Sequence, residues 1–379
     1  MSNQLIEVQK FGQSIWYDNI RRGMITDGTL QAMVDQDRLL GVTSNPAIFE
    51  KAINESADYD PALRAYARQG VQAPIDLYEK VAIEDIQLAA DILHPVYHAT
   101  SRRDGFVSFE VSPYLAADTE QTIDYARRVY ALLGRDNVMI KVPGTPEGMP
   151  AIAALIGEGI NVNVTLLFSV AAYEACAAAY MEGLEAWVDK GGDPGRVASV
   201  ASFFISRIDN LVDEKLQEAA EDQDKHDACT GLLGEIAVAN AILAYDRYHA
   251  LVATDRWQAL ARKGAAPQRL LWASTSTKNK AYSPTKYIDE LIGEDTVNTV
   301  PDATFRAYRD TGRPSPALQD GWAGKLETAQ AQMATLAAAG ISLDDCTARL
   351  LEDGVKQFSD AFGVLLESIE KKREVLKDD

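Results

Sequence analysis

Short apolar runs alternate along most of this chain with longer stretches in which apolar residues recur three and four apart. Eight runs have the length and composition of buried strands: residues 14–18, 41–44, 107–110, 138–142, 161–165, 198–203, 269–273 and 295–299. Helical periodicity lies between them. It runs over 75–92, beside Glu79, Glu84 and Asp85, and over 119–133 through Ile123, Ala126, Val129 and Leu132. Residues 169–188 are alanine-rich and open on Ser169, a residue type that caps helices. Strands alternating with helices predict a parallel sheet with crossover helices. Eight such units predict an α/β fold, a closed (β/α)8 TIM barrel, which needs about 250 residues.

The chain has 379 residues, and the surplus falls in two places. Residues 208–264 are helical in pattern with no strand among them and read as an insertion. Residues 323–379 read as C-terminal helices broken near Gly340 and Gly354, ending in a mixed-charge, solvated stretch from Glu370 to Glu374. Neither looks like a separate unit, so residues 1–379 are expected to form one barrel domain. No internal repeat or low-complexity tract is present.

In such a barrel the interior is packed and chemistry gathers at the C-terminal ends of the strands. The most informative run is Val138-Met139-Ile140-Lys141-Val142, closed at once by Pro143-Gly144. A lysine inside a buried apolar strand loses water, which disfavours its ammonium. A neutral amine can attack a carbonyl and form a Schiff base. Other candidate strand ends are also polar. Asp18 ends the first; Thr43, Ser44 and Asn45 the second; Glu110 the third. Asn161, Asn163 and Thr165 share one face of the fifth. Ser202 lies on the sixth, with Arg207 five residues on, and the seventh runs into Ser274 and Lys278.

Plainer roles exist for each. Asp18 fits a cap or turn, Asn45-Pro46 initiates turns, and Glu110 could pair with a neighbouring lysine. Arg207 could bridge to Asp209 or Asp213 on its own helix. Lys278 could be a surface lysine, and Lys141 could snorkel. His94 and His98 are spaced as a helical metal pair, but Pro95 lies between them and no further ligand motif follows, so they read as loop residues. Gly144 to Gly148 lacks the ending of a phosphate-binding P-loop.

The balance of 37 Lys and Arg against 56 Asp and Glu gives a net charge of −19, a field that repels nucleic acid and anionic membranes. A phosphorylated ligand would need a local cationic pocket. Three scattered cysteines form no metal or disulfide pattern and fit a reducing cytoplasm. No signal-peptide core opens the chain, and its apolar stretches are too short or interrupted to span a bilayer.

Three segments together resemble the transaldolase family. Ile140-Lys141-Val142-Pro143, followed by Gly148, resembles its Schiff-base lysine segment. Gly41-Val42-Thr43-Ser44-Asn45-Pro46 resembles its Thr-Ser/Thr-Asn-Pro motif. Asn161 to Ser169 resembles its fifth-strand signature. The match runs from about residue 18 to 301, and the insertion and the 272–279 segment resemble the longer bacterial subfamily.

The resemblance implies transfer of a dihydroxyacetone unit between sugar phosphates in the non-oxidative pentose phosphate pathway. Donors would be sedoheptulose 7-phosphate or fructose 6-phosphate, and acceptors glyceraldehyde 3-phosphate or erythrose 4-phosphate. It implies Lys141 as nucleophile, Asp18 as acid/base, and Glu110 and Thr165 as holders of the shuttling water. Asn45 and Asn163 would bind substrate hydroxyls beside Thr43 and Ser44, and Ser202 and Arg207 the phosphate. The seventh-strand motif lacks the shorter family form's arginine, which leaves Lys278 or Ser274 for the phosphate. No cofactor and no metal are implied. Partners are sugar phosphates, with a homodimer entertained. The alternatives are a fructose 6-phosphate aldolase-like enzyme releasing free dihydroxyacetone, a non-enzymatic barrel, and a metal-dependent aldolase.

Overall fold

The computed structural model describes residues 3–377. Eight strands close into a barrel in chain order, each parallel to its neighbours. They are β1 (Gln13–Tyr17), β2 (Gly41–Thr43), β3 (Phe106–Glu110), β4 (Val138–Pro143), β5 (Val162–Leu167), β6 (Ser199–Phe204), β7 (Arg269–Ala273) and β8 (Thr296–Val300). Every strand is buried along its length. A parallel sheet has helices on its outer face and its own packed interior on the other, so near-continuous apolar runs are what it selects. The (β/α)8 expectation is met, with strand limits within two residues of those read from the pattern.

The departures are local. In β5 the pairing with β6 slips between Val164 and Leu167. Leu166 there has φ of 62°, in the left-handed region. A bulge adds one residue to one strand only, and no apolar pattern announces it. The helix Pro74–Ala99 runs seven residues past its expected end, straight through Pro95. His94 and His98 therefore stand on a helix rather than in a loop, with ring centroids 4.3 Å apart. Buried Leu93 and Tyr97 hold that last stretch against the barrel. Packing there outweighs the single backbone donor that proline removes.

Residues 206–261 form the helices Ser206–Ala219, His226–Thr230, Ile236–Val252 and Asp255–Ala261. Ile236–Val252 packs on Val170–Asp189 and on Trp322–Ala338. Ser169 caps Val170–Asp189, its Oγ accepting the Ala172 N–H at 3.1 Å.

The chain turns at Gly340, whose φ is 87°, and enters the long helix Leu343–Lys377. No break occurs at Gly354. A Cβ at 354 would stand 2.9 Å from Leu166 Cδ2, so glycine serves close approach here, not termination. This helix packs on Pro46–Glu55, Pro74–Ala99, Ser206–Ala219 and β5, which carries it across the C-terminal end of the barrel. Its tail is tied down rather than merely solvated. Lys372 Nζ donates to Asp60 Oδ1 at 2.8 Å and to the Ser56 carbonyl at 2.7 Å, and Arg373 donates to Gln72.

At the opposite, N-terminal end the barrel is plugged by polar groups. Asp104 accepts from Ser14 Oγ at 2.8 Å, Trp16 Nε1 at 2.9 Å and Arg269 at 2.9 Å, and Arg269 also donates to Ser14. A bidentate-capable cation and a carboxylate with several donors satisfy one another there.

Candidate active site

Register puts the central residues side by side. Glu110 pairs with Lys141 across β3 and β4, and Lys141 pairs with Asn163 across β4 and β5. Adjacent in-register residues of a parallel sheet point to the same face, here the barrel interior at its C-terminal end. Lys141 is 5% exposed and Glu110 is 4% exposed. Lys141 Nζ donates to Glu110 Oε2 at 3.0 Å and to the Ser44 carbonyl at 2.9 Å. The strand pattern implied burial of this amine, and the polar strand ends implied carboxylates beside it; the register shows Glu110 as its direct partner.

Asp18, one residue past β1, enters the same interior. Its Oδ1 accepts from Thr43 Oγ1 at 2.7 Å, and Thr43 Oγ1 lies 2.6 Å from Thr299 Oγ1. With the Thr43 proton used on Asp18, Thr299 is the donor in the second bond. Burial pushes the Asp18 carboxyl above its ordinary value, against the pull of Lys141 and the Thr43 hydroxyl. Glu110 is raised in the same way, by burial first, with Lys141 and Arg207 opposing and Asp18 adding to the rise. Two carboxyls and an amine thus share this interior, Glu110 and Lys141 buried and Asp18 half-buried, and each proton position depends on the others.

Two buried polar atoms in this group have no hydrogen-bond partner: Glu110 Oε1 and Thr165 Oγ1. Buried polar atoms are rarely left so, and orphans in a cluster mark a place that a ligand or water completes. Asn163 donates to Ser108 Oγ at 3.1 Å and accepts from Ser202 Oγ at 2.7 Å, and Ser44 Oγ donates to the Ser108 carbonyl. Asn45 caps the helix Pro46–Glu55, its Oδ1 accepting the Ile48 N–H at 3.0 Å. Its turn-initiating role is therefore real, and only its Nδ2 is left to face a ligand.

Arg207 sits on the first turn of Ser206–Ala219 and makes neither of the bridges open to it on its own helix. Asp209 accepts from the Ala237 N–H and from Tyr287, and Asp213 from the Gly234 N–H and from Tyr282. The guanidinium lies 5.2 Å from the Phe204 ring centroid and 5.9 Å from that of Phe358, and its buried Nη1 has no partner. Burial lowers its pKa, with Glu110 opposing. An arginine donor without a partner in a low-dielectric site binds an incoming anion strongly. Ser274, left-handed at φ 55°, places Oγ 3.0 Å from Ser206 Oγ beside that arginine. Lys278 is exposed, and its Nζ donates to Ser276 at 3.1 Å.

Four contributors escaped the sequence reading. Ser108 and Thr299 are ordinary strand residues until register is known. Ser206 precedes Arg207 and lies just ahead of the helical stretch read from residue 208. Phe358 lies on the C-terminal helix, 5.9 Å from Lys141 Nζ by its ring centroid, and nothing in its local sequence distinguishes it.

Comparison with known proteins agrees with the geometry. Residues 15–369 match the model of the family described as Transaldolase/Fructose-6-phosphate aldolase. A protein named Transaldolase from Trichodesmium erythraeum is 46% identical, over 98% of this chain and 98% of its own length. Another of that name from Thiobacillus denitrificans is 43% identical, over 96% and 98%. Transaldolase 2 of Streptomyces coelicolor is 42% identical, over 98% and 97%.

Proposed function

The chain belongs to the transaldolase/fructose-6-phosphate aldolase family, and from that premise we propose that Lys141 carries a dihydroxyacetone unit as a Schiff base between two sugar phosphates. The observation that carries the assignment is the Lys141 amine itself, buried at a barrel strand end with Glu110 3.0 Å away and an unpartnered arginine donor nearby.

The residues supply each step. Nζ attacks the C2 carbonyl of a ketose phosphate, and the carbinolamine loses water to form the imine. Glu110 Oε1 and Thr165 Oγ1, the two orphaned atoms, hold that water and pass its protons. Asp18 takes the C4 hydroxyl proton, the C3–C4 bond breaks, and the protonated imine accepts the electron pair. The aldose phosphate leaves and the three-carbon enamine stays on Lys141. An acceptor aldehyde then adds at C3 and takes a proton from Asp18, and hydrolysis of the new imine frees the product ketose. Positioned proton transfer of this kind contributes ~10²–10⁴-fold. Arg207, with Ser206 and Ser274 beside it, receives the phosphate. It supplies the local cation that a −19 protein needs to hold an anionic substrate. Asn163, Ser202, Ser44 and the Asn45 amide bind hydroxyls.

Buried free thiols at Cys176, Cys229 and Cys346 suit a reducing cytoplasm. No helix among the described residues is long and apolar enough to cross a membrane. A homodimer belongs to the proposal, with Leu88 at 44% and Leu132 at 51% exposure as apolar contacts on adjacent helices.

The test is borohydride reduction in the presence of fructose 6-phosphate followed by peptide mapping. The expected label is on Lys141; a label on another lysine, or none, overturns the assignment. Product formation that needs no acceptor aldehyde would favour the aldolase activity of the same family.

A further inference from the structure

Lys141 and Arg207 have one neighbour in common that belongs to neither the barrel nor its loops. The Phe358 ring centroid lies 5.9 Å from Lys141 Nζ and 5.9 Å from the Arg207 guanidinium carbon. It is 8% exposed and is carried by the helix Leu343–Lys377. That helix is held close to the site one turn earlier, where Gly354 lies against Leu166 and Arg207. A ring that faces two cations is attracted to both. A ketose phosphate competes with the ring at both, because its C2 bonds to Nζ and crowds that side of the ring while its phosphate takes the guanidinium.

We infer that Phe358 is a specificity-determining residue, one that sets how the Lys141-bound enamine divides between an acceptor aldehyde and water. The inference rests on Lys141 as the nucleophile. Substrate entry displaces the ring, sterically at Nζ and by phosphate pairing at Arg207. After C3–C4 cleavage the aldose leaves with its phosphate, and Arg207 again has only aromatic faces for partners. The ring then returns to the guanidinium and covers Nζ while the enamine waits.

Two fates are open to that enamine. In transfer, its C3 uses the enamine electron pair to bond the acceptor's carbonyl carbon, and the acceptor oxygen takes a proton. In leakage, C3 takes a proton instead, and one water hydrolyses the imine to dihydroxyacetone and free Lys141 amine. Leakage needs only proton and water access, which the ring restricts. Transfer needs an acceptor whose phosphate draws Arg207 away and displaces the ring again. The shield therefore opens to the acceptor and closes to solvent.

The experiment measures dihydroxyacetone release from fructose 6-phosphate without acceptor, and transfer flux with erythrose 4-phosphate, for the wild type, Phe358→Ala, Phe358→Leu and Gly354→Ala. Phe358→Ala should raise the release-to-transfer ratio by about tenfold. Gly354→Ala, whose methyl would meet Leu166 Cδ2 at 2.9 Å and Arg207 Nη1 at 3.4 Å and so disturb the seat of the helix, should raise it in the same direction. If alanine at 358 prevents folding, Phe358→Leu keeps most of the bulk, loses the charged-face contact, and should show a smaller rise. A ratio unchanged in every folded variant, with both rates falling together, overturns the inference. Borohydride trapping at Lys141 in the same wild-type sample separates the two ideas. Trapping with an unchanged ratio removes only the role of Phe358; failure to trap removes the nucleophile itself.

Discussion

Gly354 of the C-terminal helix lies over Leu166 at the bulged end of β5, where any side chain at 354 would meet Leu166 Cδ2 at 2.9 Å and Arg207 Nη1 at 3.4 Å. Leu166 keeps a left-handed backbone, at φ 62°, although it is not glycine. Such a conformation costs about 1–3 kcal/mol and persists where surrounding contacts fix it. Here the contacts are substantial, since Leu166 is 1% exposed.

Leu166→Gly sets these two effects against each other. It relieves the backbone but removes a buried side chain, and large-to-small core changes cost roughly 2–5 kcal/mol. The packing loss exceeds the relief, so the variant should melt at lower temperature. A rise in melting temperature would show that the strain dominates.

Arg207→Ala should weaken phosphorylated substrates far more than their unphosphorylated analogues. A hydrogen bond to a charged group is worth about 1.5–3 kcal/mol, which is roughly 10- to 150-fold in kcat/KM. Equal losses for both substrates would mean that the arginine only packs between Phe204 and Phe358.

In the proposed mechanism Asp18 must be ionised to take the C4 hydroxyl proton. Burial raises its pKa above the usual 3.8 for aspartate, so activity should fall on acidification at a pH above that ordinary value. Glu110 is raised too, so the acid limb reports the coupled pair rather than one group. Asp18→Asn should lose carbon transfer while the borohydride label on Lys141 survives. An acid limb at the ordinary aspartate value would show that this half-buried carboxyl keeps its water.

Asp209 governs stability rather than chemistry. Burial pushes its carboxyl up to about 6 from 3.8, despite bonds from Tyr287 and the Ala237 N–H. Between those pH values the folded chain binds a proton that the unfolded chain has released. Stability from this group is therefore complete below about pH 4 and lost as pH rises through about 6, by roughly 2–3 kcal/mol. Asp85, also pushed up to about 6 by burial against the pull of Arg22, acts in the same direction. Asp209→Asn should flatten the decline in urea-melt stability over that interval without abolishing it. An unchanged slope would place the titration elsewhere.

The barrel was legible because its strands are buried on both faces, so length and apolarity mark them without help from long-range information. Lys141, Asp18 and Glu110 stood out as polar residues at the ends of such runs, and the structure gathers them. What the chain did not reveal depends on contacts between distant segments. The bulge at Leu166, the bond from Thr299 to Thr43, and the seating of Phe358 are set by register and by a helix about two hundred residues away. Gly354 misled for the same reason: a glycine that ends a helix and one that lets a helix touch its neighbour look identical in one dimension. Pro95 misled because the loss of one donor in a final turn is outweighed by burial of the residues around it.

The wall beside Lys141 is made from a helix that follows all eight strands in the chain. All eight strands, and with them Asp18, Glu110 and Lys141, are synthesised before Phe358. Until its helix docks, a nascent barrel would leave the Lys141 amine without the ring beside it. Loss of the Leu343–Lys377 helix would return a finished molecule to that uncovered condition.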